Sequence, residues 1–316
     1  MEKQTYNKII LIGIQPSKIH LGHILSIFTY MKYHKKKESI YCMIADFHKL
    51  STSVNLYKNN QDMSNIFNIC NNLNIKSYAQ SLFNDVYFSL LMLIGNYCNI
   101  NELDKIFKIN YENNTDNNIN KLLYPLIMLI DILLIQPCTV VISQDQIHNV
   151  RFIKKIIEKL KSLKINIDVD FEILDLKIIS LYTEDKMSSS KENCGVIYLN
   201  DDMISIQDKI AQIPTQENMP QHSEDFQHPH LKQIYQLFAK MSNISLEELI
   251  DKYKDQKFSL FKINFATKIY KIIQEYKVKL PNDNKNEEDK DSKELESRVL
   301  WNADNIIEAF KTNNKI

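Results

Sequence analysis

Lys8-Ile9-Ile10-Leu11-Ile12-Gly13-Ile14-Gln15-Pro16-Ser17-Lys18-Ile19-His20-Leu21-Gly22-His23 is the stretch that decides the fold. Its β-branched opening, residues 8–12, reads as a buried parallel strand, and beyond it Leu21, Ile24, Leu25, Phe28 and Met31 recur at helical spacing. Of the four glycines in 316 residues, Gly13 and Gly22 both lie here and bracket the strand-to-helix turn. Such a turn offers backbone N–H groups and a helix N-terminus to an anion, and the missing Cβ atoms let a base or phosphate approach the main chain. His20 and His23, at i and i+3, share one side of the first helical turn. The sequence therefore predicts a nucleotide site at the carboxyl end of a first strand.

Working outward, strand patterns recur at 39–46, 139–143, more weakly at 78–83, and in a strand-like run at 176–181. Helical periodicity fills 63–73, 86–98, 122–135 and 146–163, and the polar run 110–118 has loop composition. This alternation predicts an α/β fold, a Rossmann-like doubly wound parallel sheet with ligands at the carboxyl ends of its strands. From Asp201 onward only helical patterns remain, at 203–211, 231–241, 246–253 and 258–278, which predicts a C-terminal all-helical domain. The expected division is thus 1–200 and 201–316. The acidic and lysine-rich run 281–293 reads as a solvated linker, and a last amphipathic helix returns near 294–310 with Trp301 as a packing anchor.

Composition narrows the class. At 44% hydrophobic and 25% charged the chain can build a large core. Lys plus Arg equals Asp plus Glu at 39 each, so no global positive field announces nucleic acid, although a local basic face needs only a patch. Cys42, Cys70, Cys98, Cys138 and Cys194 lie far apart in sequence without a paired motif, which predicts free thiols and no structural metal. The apolar run 122–141 carries Asp131 in its middle and Pro125 and Pro137 near its ends, so a buried helix and strand fit it better than a membrane span. The polar opening residues 1–7 lack a leader pattern, which points to the cytoplasm, with mitochondria as the alternative.

Two further groups carry chemistry. Lys186-Met187-Ser188-Ser189-Ser190-Lys191 sets small hydroxyl residues between cationic ends, a composition suited to closing over phosphates. Tyr124, Met128 and Asp131 sit at i, i+4 and i+7 and project from one helix face. On the residues alone Asp131 has two readings, a carboxylate paired with a neighbouring lysine or an acceptor for a ligand's donor, since burying it without either is costly.

A His-Leu-Gly-His turn at 20–23 followed by a Lys-Met-Ser-Ser-Ser loop at 186–190 resembles the two signature motifs of class I aminoacyl-tRNA synthetases. Between them, Gly13-Ile14-Gln15-Pro16-Ser17, Ile44-Ala45-Asp46-Phe47-His48, Tyr124-Pro125 through Met128 to Asp131-Ile132-Leu133-Leu134, and Asp145-Gln146 before His148 are similar to tryptophanyl-tRNA synthetases of the compact bacterial and organellar type. The likeness resumes at Ser245-Leu246-Glu247-Glu248-Leu249 and Phe261-Lys262. It implies activation of L-tryptophan by ATP, bound as its Mg²⁺ complex, transfer to tRNA(Trp), and a homodimer. Gln15 and Met128 side with tryptophan, whereas the Lys-Met-Ser-Ser-Ser loop sides weakly with tyrosine.

The resemblance also implies residue roles. His20, His23 and Lys186 would act on the phosphates, the histidines as hydrogen-bond donors and the lysine on the departing pyrophosphate. Gln15, Pro16, Ser17, Gly22, Ser143, Gln144, Asp145 and Ile178 would meet ATP, together with Met187, Ser188, Ser189 and Ser190 of the loop. Asp131 would accept the indole N–H, with Met128, Tyr124, Gln146 and Gln15 around the amino acid. The helical domain would read the anticodon. His48 and His148 read as structural hydrogen-bonding residues, and His222, His228 and His230 as surface or loop histidines. Three departures stand out: Lys18-Ile19 shortens the phosphate turn, Ser143-Gln144 replaces the usual Gly-Glu, and Ser189 stands where bacterial relatives carry a second lysine, with Lys191 nearby. A rival reading is a divergent paralogue that binds the same ligands without efficient catalysis.

Overall fold

The computed structural model describes residues 6–35, 39–52, 59–99, 101–102, 119–174, 178–188, 195–277 and 285–313. The chain forms two compact units. One comprises Met1–Pro16, Tyr33–Asp175 and Leu280–Ile316, and the other Ser17–Lys32 and Leu176–Lys279. The glycine-bracketed turn is thus shared, Gly13 to Pro16 going to the first unit and Ser17 to His23 to the second.

The first unit is built on a five-stranded sheet of β1 (Ile9–Ile14), β2 (Ile40–Ile44), β3 (Lys76–Ala79), β4 (Cys138–Ser143) and β5 (Val169–Leu174), in the order β3-β2-β1-β4-β5. Every pairing is parallel, with Ile14 beside Ile44 and Ile12 beside Val141. The order reverses between β1 and β4, so the crevice at their carboxyl ends lies next to Gln15 and Ser143. Strand β1 is buried at Ile9 to Ile12 and β2 throughout, as continuous apolar runs in a two-sided sheet must be. Helices α3 (Asp46–Thr52), α4 (Asn59–Asn72), α5 (Asn84–Gly95), α6 (Ile119–Ile135) and α7 (Ile147–Ser162) cover it. Helix α6 buries Leu129, Ile130, Leu133 and Leu134, and α7 buries Phe152, Ile153, Ile156 and Leu160. Together they show the Rossmann-like architecture that the alternating pattern predicts.

Three local expectations need correction. The strand expected at 78–83 pairs only over Lys76–Ala79, because 80–83 tighten into a 3₁₀ turn. The last strand is Val169–Leu174, not the apolar run at 176–181; of that run, Ile178 to Leu181 lie in the second unit, with Ile179 bridging Lys186. Finally, much of the supposed linker is helical. Helix α12 spans Lys285–Asn313, and Lys and Glu, both good helix formers, predominate in its first half. The loop composition at 110–118 falls outside the described residues.

The α12 helix is fastened to the sheet unit by two buried polar side chains. Arg298 donates from Nε to the Ile135 carbonyl at 2.7 Å and from Nη2 to those of Asn7 and Pro137 at 3.0 and 2.8 Å. Asn302 donates to the carbonyls of Leu134 and Gln136 at 2.8 and 2.9 Å. Apart from that of Asn7, just before β1, these oxygens lie where α6 ends and β4 begins, a place with few backbone partners of its own.

The second unit opens with α1 (Leu21–His23), which continues through a π turn (Ile24–Phe28) into α2 (Thr29–His34), whose first residues still belong to it. It holds α8 (Met203–Ala211), α9 (Pro229–Ser242), α10 (Leu246–Tyr253) and α11 (Phe258–Tyr276). Tyr235 stacks on Phe261 at 4.2 Å, with Phe238, Tyr253 and Phe265 around them. His230, expected at the surface, is buried, and its Nε2 lies 2.8 Å from the Leu181 carbonyl. Cys42, Cys70, Cys98 and Cys138 are free thiols, and Cys194 lies outside the described residues. Among the described residues no helix is long and apolar enough to cross a membrane.

Candidate active site

In the sheet unit the polar side chains gather at the strand ends. Asp131 projects from α6 and is only 2% exposed. Its Oδ1 accepts from the Gln80 amide at 2.6 Å and from the Tyr87 hydroxyl. Its Oδ2 is buried and has no hydrogen-bond partner. Burial lifts the carboxyl pKa to about 7, against the pull of the Tyr87 and Gln80 hydrogen bonds; Asp46 pushes it further up. Among the described residues no lysine pairs with Asp131, and the unpaired oxygen remains an open acceptor.

The same helix face carries Tyr124 and Met128, both half-buried. The Tyr124 hydroxyl accepts from Gln15 Nε2 at 3.3 Å, so the residue after β1 touches the α6 face. The Tyr124 ring meets His48 edge-on at 4.3 Å. His48 is 3% exposed, and burial depresses its pKa to about 4. Gln80 and Tyr87 were not singled out by the sequence. The burial of Gln80 directly after β3 is visible only in the fold, so no sequence signal marked it.

At the end of β4, Ser143 Oγ donates to Asp145 Oδ1 at 2.6 Å and Gln146 Nε2 to Asp145 Oδ2 at 3.0 Å. Asn149 in turn donates to Gln146 Oε1 at 2.5 Å, which fixes the direction of that side chain. Gln144 is exposed, and Pro16 is buried. Ser143, which replaces a glycine of the resembled pattern, turns its hydroxyl onto Asp145.

In the second unit, His20 caps α1: its Nδ1 accepts the Gly22 N–H at 3.1 Å, while His23 Nδ1 accepts the His20 N–H at 3.3 Å. Both rings thus accept at Nδ1 and carry their proton on Nε2. The ring centres lie 3.8 Å apart, with the planes tilted by 31°. Burial, with the Lys186 charge second, lowers His20 to about 4. Burial, then His20 and Lys186, lowers His23 to about 3. Near neutrality both are uncharged Nε2–H donors. A Cβ on Gly22 would stand 2.8 Å from His20 Cε1 and 3.8 Å from Ile178 Cβ, so the room glycine leaves is filled first by the His20 ring.

Antiparallel contacts hold this turn: Leu21 N–H donates to Ile197 and Leu199 N–H to Ile19, each at 2.8 Å. Met187 N–H donates to Ile178 at 2.8 Å, and the Met187 side chain is buried, which leaves Lys186 exposed at the head of the loop. Ser17 and Ser188 are half-buried, and Ser189 and Ser190 lie outside the described residues. Lys18, of the shortened turn, sets its Nζ 5.7 Å from the centre of the Tyr198 ring. The cluster joins neutral donors, a helix start and a lysine, a combination suited to polyphosphate.

A family model described as tRNA synthetases class I (W and Y) matches residues 3–274. The tryptophan–tRNA ligase of Wigglesworthia glossinidia brevipalpis is 28% identical over 271 residues, 80% of each chain. A tryptophanyl-tRNA synthetase from Mycoplasma pneumoniae shares the fold at a TM-score of 0.76, with 18% identity over 98% of both chains. That of Campylobacter jejuni, solved complexed with ADP and tryptophan, follows at a TM-score of 0.67, with 20% identity over 96% of both.

Proposed function

Because this chain belongs to the class I tRNA synthetases of the W and Y kind, we propose that it is a tryptophan–tRNA ligase. The tryptophan carboxylate attacks the α-phosphorus of ATP, the bond to the β-phosphate oxygen breaks, and pyrophosphate leaves. A hydroxyl of the terminal adenosine of tRNA(Trp) then attacks the tryptophanyl-adenylate carbonyl and displaces AMP. Magnesium enters as part of the ATP substrate.

One observation carries the tryptophan reading. Asp131 Oδ2 is buried without a partner on the face that holds Tyr124 and Met128. An indole N–H satisfies it, whereas phenylalanine would leave it unpaired, and sites of this kind discriminate strongly. Met128 supports tryptophan over tyrosine at the same face. Gln15, tied to Tyr124, and Gln146, tied to Asn149, then direct the amino acid's polar end.

The phosphate chemistry rests on positioning and electrostatics. His20 and His23, neutral and protonated on Nε2, donate to phosphate oxygens and do not shuttle protons. Lys186 steadies the pyrophosphate as it leaves. Ser143 and Asp145 serve the ribose and Ile178 the adenine, while the helices α8 to α11 meet the tRNA. We further assign the protein to the cytoplasm and to a homodimer built on the exposed face of α5. Pyrophosphate exchange tests the activation step and its specificity: exchange with tryptophan alone is expected. Exchange with tyrosine alone overturns the specificity, and exchange with neither supports a paralogue that binds without catalysis.

A further inference from the structure

Gln80 is fully buried at the start of the 3₁₀ turn that follows β3, and each of its polar directions is committed. Its Oε1 accepts the Phe47 N–H at 3.0 Å. That bond fixes which end of the amide is oxygen, since a backbone N–H cannot be met by an NH₂ group. The two amide hydrogens are then left for Asp131 Oδ1 at 2.6 Å and His48 Nδ1 at 3.0 Å. Tyr87 donates to the same Oδ1, so one carboxylate oxygen takes two donors and the other takes none. Accepting at Nδ1 also puts the His48 proton on Nε2, with the ring held against Tyr124.

We infer that Gln80 is the positioning residue of the amino-acid site: from one amide it holds Asp131 Oδ1 and His48 Nδ1, leaving Asp131 Oδ2 as the acceptor that selects side chains bearing an N–H. This rests on the tryptophan reading of the same site. Without Gln80 the carboxylate is free to rotate about its terminal bond, whose torsion is broad and two-fold, and either oxygen can turn to Tyr87. The loss falls on recognition of the ring N–H, not on the phosphates. It also falls on the charge of Asp131, which faces Tyr87 of α5, Tyr78 of β3, Tyr124 of its own helix and Asp46 of α3, with His48 reached through Gln80. Among these Gln80 favours the ionised form, so its removal raises the carboxyl pKa.

Gln80→Met keeps the volume and removes the donors; Gln80→Glu keeps an acceptor for Phe47 and serves if the first variant does not fold. Pyrophosphate exchange is measured with tryptophan and with 3-benzothienylalanine, in which sulfur replaces the ring N–H. The expected result is a rise of about tenfold or more in KM for tryptophan, a smaller effect on kcat, and an unchanged KM for ATP. The preference for tryptophan over the sulfur analogue should fall by a similar factor. In parallel, the ¹³C signal of the Asp131 carboxyl, assigned by its absence in Asp131→Asn, should titrate at higher pH in the variant than in the wild type. An unchanged KM, preference and titration midpoint in a folded variant overturn the inference. If the wild type shows no tryptophan-dependent exchange, the parent reading fails separately, and the carboxyl titration still decides whether Gln80 positions Asp131.

Discussion

Asp131 and the three depressed histidines pull the pH dependence in opposite directions. The folded-state pKa of Asp131 is raised to about 7, so the folded chain holds a proton that the unfolded chain releases near pH 4; this contribution to stability is present at low pH and lost as pH rises toward 7. His20, His23 and His48 fall to about 4, 3 and 4, so their contribution is present above pH 6.5 and lost as pH falls below it. Among the described residues, Asp131→Asn removes the group that opposes them. Urea unfolding of this variant between pH 4.5 and 6.5 should therefore show stability falling with acid more steeply than in the wild type, by about 1.4 kcal/mol per pH unit. The same variant should raise KM for tryptophan about tenfold to a hundredfold and spare ATP, the loss of one hydrogen bond to a charged group. Because His20 and His23 are already neutral, kcat for exchange should stay flat from pH 6 to 9, and a break near 6.5 that vanishes in His23→Asn would refute their role as neutral donors. At this scale the sequence is legible where a motif is local. His20 and His23 lie one helical turn apart, and Asp131 interrupts an apolar run. Gln80 and Tyr87 were not legible, because their importance comes from meeting Asp131 across three elements, which no spacing within one element reveals.

The α12 helix gives the clearest test at the scale of an element. It packs on α6 and α5, and Arg298 and Asn302 supply donors to the turn between α6 and β4. Arg298→Met keeps much of the apolar stem but orphans the carbonyl of Ile135 and leaves that of Pro137 only the Ile9 N–H at 3.2 Å, an unsatisfied group costing about 1 to 3 kcal/mol. A loss of about 3 kcal/mol is expected in the urea transition of the sheet unit, whereas Lys311→Met, at an exposed position of the same helix, should change it by less than about 0.5 kcal/mol. Equal behaviour of the two variants would mean that the helix is held by its apolar face alone. The charged run before Glu294 looked like a linker because it lacks a stripe to bury, yet its Lys and Glu content favours a helix once Leu295, Val299, Ala303, Ile306 and Phe310 anchor the remainder. β5 escaped for the opposite reason. As an edge strand it alternates half-buried Val169 and Phe171 with exposed Asp170 and Glu172, a weaker signal than the apolar run just beyond it.

Across the whole molecule, the chain path changes what a truncation means. Cutting at residue 201 would remove not only the helices proposed to read tRNA but also Arg298 and Asn302, so lost charging would report on the sheet unit's stability as much as on recognition. Association is better tested by point changes. Helix α5 and the turn before it leave Leu82, Phe88 and Met92 exposed at 65%, 66% and 55%, beside an apolar cavity of about 400 Å³ lined by Phe47, Leu50, Tyr87, Phe88, Leu91, Leu123 and Ile127. A protruding phenylalanine at the rim of a cavity can be self-complementary, as a two-fold interface requires. Phe88→Glu should therefore convert a particle of twice 37.2 kDa into one of 37.2 kDa in sedimentation velocity at micromolar concentration. Tyr87 both borders this cavity and donates to Asp131, so separating the subunits should also raise KM for tryptophan more than KM for ATP. A wild type that sediments as a monomer would remove the interface, and a Phe88→Glu protein that stays dimeric would place it elsewhere and leave Asp131 independent of it.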